Sequence, residues 1–145
     1  NRLTGYQTLK RLGALPIIMD EGIVSCVELE EFIKLGLLDG VAIKVARCGG
    51  ITEARRQIET ALNAGLMILG SGLTDPDISL AASLALFGAY DLKYAAALNA
   101  PQFLTGSILR EPFCAEGGEL GVPAGAGLGV EIEEARLATG ERSQF

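Results

Sequence analysis

The sequence predicts an α/β fold built on a parallel sheet, and three observations carry that reading. Short apolar runs alternate with helical segments at a spacing of about 25 residues, with little sequence shared between units, which is a barrel or doubly wound pattern rather than a solenoid. Two of the runs, Ile17-Ile18-Met19 and Val41-Ala42-Ile43, end abruptly in charge, at Asp20-Glu21 and at Lys44. One amphipathic helix joins them, and a crossover of that length makes the two strands parallel neighbours. A closed eight-stranded barrel takes ~250 residues, so the four units of this 145-residue chain amount to half of one.

In order, residues 4–12 read as a helix closed by Gly13, glycine being the common residue past a helix C-terminus. A strand is expected at 16–20. Ser25, followed three residues later by Glu28, forms a capping box, and Val27, Phe32, Ile33 and Leu37 supply the buried stripe of the helix that follows. The second strand is expected at 41–45. Gly49-Gly50 leads into a helix over 51–64, with Ile51, Ala54, Ile58, Ala61 and Leu62 on one face and Glu53, Arg55, Arg56 and Glu59 on the other. The third strand is Leu66–Leu69, and Asp75 before Pro76 reads as the N-cap of a helix running to about Phe87. That helix is apolar on most sides and needs more than one sheet face to bury it. A fourth strand is expected at 94–98. From Pro101 the alternation stops, and residues 112–132 are rich in glycine, with short strands expected at 119–122 and 128–132, a short helix at 132–138 and a loose GERSQF tail. The chain opens at Asn1 in what reads as a helix already under way, so it looks cut from a longer polypeptide.

Composition removes several function classes. The formal charge of −6 offers no basic stripe for phosphates, which argues against nucleic-acid binding. No apolar run approaches the ~18 residues of a membrane span, and the first residues do not resemble a signal peptide. Three widely spaced cysteines, Cys26, Cys48 and Cys114, suit reduced thiols in a cytoplasmic protein. The chain has no histidine, so these residues contain no imidazole base and no histidine-ligated metal.

What remains is the charge at the strand ends, the edge where parallel α/β folds place their chemistry. Asp20 is either one oxygen ligand of a hard cation such as Mg²⁺ or a strand-ending aspartate that caps the next loop. Because adjacent strand residues face opposite ways, at most one of Asp20 and Glu21 is expected to aim into a barrel mouth. Lys44 ends an otherwise apolar strand. It reads as an acid/base group, as an ion-pair partner of Asp20 or Glu21, or as both. Gly49-Gly50, Ser71 within Gly70-Ser71-Gly72, and Cys48 read as structural: no base for Ser71 and no activating partner for Cys48 is in view.

Five segments in order resemble the muconate lactonizing enzyme branch of the mandelate racemase/muconate lactonizing enzyme family, in the enolase superfamily: P-I-I-M-D-E at 16–21, A-I-K-V-A-R-C-G-G at 42–50, I-L-G-S-G-L at 68–73, L-N-A-P-Q-F-L at 98–104 and V-P-A-G-A-G-L-G-V at 122–130. The resemblance implies strands five to eight of a modified (β/α) TIM-type barrel over residues 1–105. It further implies a glycine-rich C-terminal segment over 106–145 that returns to a capping domain outside this chain. Asp20 would be the third carboxylate ligand of an essential Mg²⁺, and Lys44 the acid/base lysine of the sixth strand, facing a second lysine in the absent half. The implied chemistry is abstraction of the proton α to a carboxylate through an enediolate, which a base achieves only with cation stabilisation. Racemisation or epimerisation, cycloisomerisation and dehydration all fit it. Where family members carry a glutamate near the end of strand seven, this chain offers Thr74 and Asp75; with Glu21 they are the candidates to support the site or face the substrate. The stretches 72–77 and 99–104 resemble members acting on hydroxyproline-type amino acids. The resemblance also implies a small carboxylate substrate and a homo-oligomer. The competing expectation is a non-catalytic half-barrel that binds a partner through its open edges.

Overall fold

The computed structural model describes residues 3–138. Helix α1 (Leu3–Leu12) precedes a three-stranded parallel sheet of β1 (Ile18–Met19), β2 (Gly40–Lys44) and β3 (Met67–Ser71), arranged in the order β1-β2-β3. The crossovers are α2 (Cys26–Lys34) and α3 (Ile51–Asn63), and α4 (Asp77–Ala89) follows β3. A short α5 (Glu134–Ala138) lies in the C-terminal segment.

Register places the functional edge. Met19 pairs with Val41, Val41 with Ile68, and Lys44 with Ser71. Side chains in register on parallel strands share a face, and successive residues alternate. Val41, Ile43, Val45 and Ile68 therefore face the helices, where they join Leu29, Phe32, Ala54 and Ile58 in one core. Burying each large aliphatic side chain of that set contributes roughly 1.5–3 kcal/mol. Lys44 and Ser71 share the other face. Gly70 belongs to the helix side, where a Cβ would lie 2.8 Å from the Phe87 ring of α4.

The helices bury slightly different stripes from those expected. The Ser25–Glu28 capping box is formed: Ser25 Oγ accepts from the Glu28 amide at 3.3 Å, and the Glu28 carboxylate accepts from the Ser25 amide at 3.1 Å. In α2 the buried residues are Cys26, Leu29 and Phe32, an i, i+3, i+6 stripe, whereas Val27 lies nearly opposite Leu29 on the helix and is 72% exposed. In α3 Gln57 completes the buried row with Ala54, Ile58 and Ala61, and Ile51 and Leu62 are exposed. Gln57 enters that row because its Oε1 accepts from the buried Cys48 thiol at 3.3 Å. The N-cap of α4 is Pro76 rather than Asp75.

The strands are fewer than expected; β1 is shorter, β2 keeps its expected length and β3 runs on to Ser71. The chain turns at Asp20, whose carbonyl accepts from the Ile23 amide at 3.0 Å, so β1 ends at Met19. The fourth strand is reduced to one parallel bridge, in which Ala97 donates to Gly70 at 2.9 Å and accepts from Gly72 at 3.0 Å. In place of strands at 119–122 and 128–132 there are isolated antiparallel bridges, Glu116 to Glu119 and Leu109 to Ile132. Of the six glycines in this stretch, Gly117, Gly118, Gly127 and Gly129 take positive φ, a conformation that breaks a ladder. The expected tail at 140–145 lies outside the described residues.

The C-terminal segment is tied back to α4. The buried Asp77 carboxylate accepts from Ser107 Oγ and the Ile108 amide, each at 2.8 Å. Val122 packs against Gly88, where a Cβ would lie 2.7 Å from Val122 Cγ2. This contact supplies part of the extra cover that so apolar a helix requires. Among the described residues no helix is long and apolar enough to cross a membrane.

Candidate active site

The charged residues converge at the C-terminal edge of the sheet. Lys44 is the last residue of β2, and its side chain is only 5% exposed. Its ammonium contacts Asp20 Oδ1 and lies 3.2 Å from Glu21 Oε1. A buried ammonium demands compensation, and the adjacent strand end supplies two carboxylates. Both reach it because Asp20 and Glu21 stand beyond β1, in the turn, where strand alternation no longer separates neighbours. The expectation that only one of them aims into the mouth assumed a strand through residue 20. Each of these two side chains is 48% exposed, so both remain open to solvent and to a ligand. The Glu21 carboxyl is held below its usual range, first by a hydrogen bond from its own backbone amide and then by the Lys44 ammonium.

Arg47 is the residue that reading the sequence missed. Its guanidinium donates to the Glu21 carbonyl at 3.2 Å, which ties the loop after β2 to the turn after β1. The only signal in the sequence is a cation three residues beyond Lys44, and nothing there shows which carbonyl it meets.

The other candidates take different places. Ser71 is buried beside Lys44 across the ladder. Cys48 is buried under the same loop, and burial pushes its thiol up from the ordinary range, as befits an unreactive sulfur. Gly50, the N-cap of α3, sits at φ 112°, which explains a glycine at that turn. Thr74 is exposed at φ 60°. Asp75 is 5% exposed and packs against Gly72, where a Cβ would lie 2.7 Å from Asp75 Oδ2. Its Oδ2 has no hydrogen-bond partner among the described residues.

The donor chemistry suits a hard divalent cation in kind: Asp20 offers half-exposed carboxylate oxygens at the sheet edge. It does not suffice in number. Among the described residues no group of three or more His, Cys, Asp or Glu side chains is placed to hold a metal ion. Asp20 thus fits as one ligand of a set that these residues do not complete.

Comparison with known proteins identifies the family and the fold. Residues 1–136 match the family described as Enolase C-terminal domain-like. An N-succinylamino acid racemase from an Amycolatopsis species is 35% identical over 126 residues, 87% of this chain and 34% of that protein. Muconate cycloisomerase 1 from Rhodococcus opacus is 29% identical over 136 residues, 93% of this chain and 36% of that protein. The crystal structure of 2-chloromuconate cycloisomerase from Rhodococcus opacus superposes with a TM-score of 0.91 at 29% identity, over 98% of this chain and 39% of that one. The chain therefore spans about a third of the length of the curated relatives it matches. The α/β half-barrel expected from the spacing of its strands is what the superposition shows. With the family match running from Asn1 through Arg136, this chain belongs to the Enolase C-terminal domain-like family.

Proposed function

We propose that this chain carries the acid/base lysine and one metal ligand of a Mg²⁺-dependent isomerase that moves the proton α to a carboxylate. The observation that carries the reading is the buried Lys44 ammonium, held against Asp20 and Glu21 at the C-terminal edge of a parallel sheet. Relatives named as a racemase and a cycloisomerase support the reaction type. As the free amine Lys44 takes the α-proton, and as the resulting ammonium it returns it; its burial keeps bulk water from competing for that transfer. Asp20 contributes one oxygen ligand. A bound Mg²⁺ supplies the positive charge that a weakly acidic α-proton requires before any amine can remove it.

Donors beyond this chain's described residues complete the metal set, and the segment from 106 onward packs on the capping domain that belongs with them. The substrate is a small carboxylate, the assembly a homo-oligomer, and the compartment the cytoplasm, in keeping with three free thiols.

The test is deuterium incorporation at the α-carbon in ²H₂O with Mg²⁺, catalysed by the intact polypeptide that carries these residues. The substrates are N-acylated amino acids, muconates and hydroxyproline-type amino acids. Exchange that Lys44→Arg lowers by ~10²–10⁴-fold, the usual weight of a general acid/base group, is the expected result. That substitution keeps a cation beside both carboxylates but leaves no usable base. Loss of water without α-exchange would move the assignment to dehydration, and undiminished exchange in Lys44→Arg would overturn it.

A further inference from the structure

We propose that Glu21 is a positioning residue that holds the Lys44 ammonium when Asp20 is engaged by a divalent cation, so that two adjacent carboxylates divide the labour. The inference rests on the reading of Asp20 as a metal ligand. Three charges meet at this corner. The ammonium contacts Asp20 and lies 3.2 Å from Glu21. Two cations drawing on one carboxylate repel each other strongly at such separations. Lys44 cannot answer by moving into water, because its side chain is 5% exposed and rises from a strand bonded on both sides. A buried charge deprived of its partner is strongly destabilising. Glu21 relieves that conflict, since it offers a second anion to the ammonium without any movement of β2.

The main chain around Glu21 is built to keep it there. Arg47 grips the Glu21 carbonyl at 3.2 Å, and the Asp20 carbonyl closes the turn on the Ile23 amide at 3.0 Å. These contacts fix the backbone and leave the Glu21 side chain facing Lys44. They also leave the Asp20 carboxylate half exposed, with room for a further ligand.

Titration calorimetry with MgCl₂, on the intact polypeptide and five variants, tests the proposal without any substrate. Glu21→Gln weakens Mg²⁺ binding by ~10-fold, because the ammonium then has only Asp20 to hold and competes with the metal for it. In a Lys44→Met background the same substitution changes Mg²⁺ affinity by less than ~2-fold, since no ammonium remains to place. Equal weakening in both backgrounds would mean that Glu21 acts on the metal directly, and would overturn the proposal. So would an undiminished affinity in Glu21→Gln. Asp20→Asn separates the two levels: if it binds Mg²⁺ as tightly as the parent, the metal-ligand reading itself fails. Glu21→Asp, which keeps the charge, retains most of the affinity, whereas a loss as large as that of Glu21→Gln would count against the proposal.

Discussion

Gly40 of β2 and Met67 of β3 stand opposite each other at the start of their ladder, with no room between them for a side chain. A Cβ on Gly40 would lie 2.6 Å from the Met67 carbonyl oxygen, 2.7 Å from Met67 Cβ and 2.6 Å from Ile18 Cδ1. Two of those atoms belong to Met67, whose backbone is pinned in the sheet, and the third to the strand on the other side. Gly40→Ala therefore overpacks the sheet at all three strands at once and is expected to cost about 1–3 kcal/mol. Urea denaturation of the variant against its parent measures the loss. An unchanged midpoint would show that the strands spread without penalty.

Asp39, one residue before Gly40, makes stability depend on acid. The Lys10 ammonium beside it, and next the Ile17 amide bonded to it, hold its carboxyl below the ordinary value of 3.8. A carboxyl depressed on folding contributes stability that is complete above its unfolded pKa and lost as pH falls through the folded one. The advantage of the parent over Asp39→Asn is thus constant above about pH 5 and shrinks below pH 3.8 as Asp39 protonates. Denaturant midpoints for the two proteins between pH 7 and pH 3 should converge at the acid end. Curves that stay parallel would separate Asp39 from the acid response.

The three thiols should differ in reactivity. Cys114 is exposed, while Cys26 and Cys48 are buried. Burial is the first cause raising both buried thiols, and the nearby Glu53 carboxylate adds to it at Cys26. Only thiolate alkylates, so brief native treatment with iodoacetamide is expected to modify Cys114 alone, the other two reacting after unfolding. Peptide mass spectrometry reads the sites. Native modification of Cys48 would show that the loop after β2 opens.

Much of the fold was legible because its signals are local. The Ser25–Glu28 capping box and the glycines after α1, α2 and α3 are set by neighbours a few residues away. Burial of Val27 was misjudged because the local pattern admits two stripes on α2, and packing against α3 selects the one through Leu29 and Phe32. The fourth strand fell short for a different reason: Ala95, Ala96 and Ala97 fill the middle of residues 94–98, alanine favours strands poorly, and only Ala97 bridges to β3.

The sequence by itself determined the alternation of strands and helices, the parallel crossovers, and the placing of Asp20, Glu21 and Lys44 at one edge, because hydrophobic periodicity and connection length constrain these without reference to distant contacts. Tertiary structure decided how those three groups meet. It turned both carboxylates toward one buried ammonium and brought Arg47 across to grip the Glu21 carbonyl. It also buried Asp75 against Gly72. Which side chains share a corner depends on how two loops cross, and that is settled by hydrogen bonds and packing between segments more than twenty residues apart.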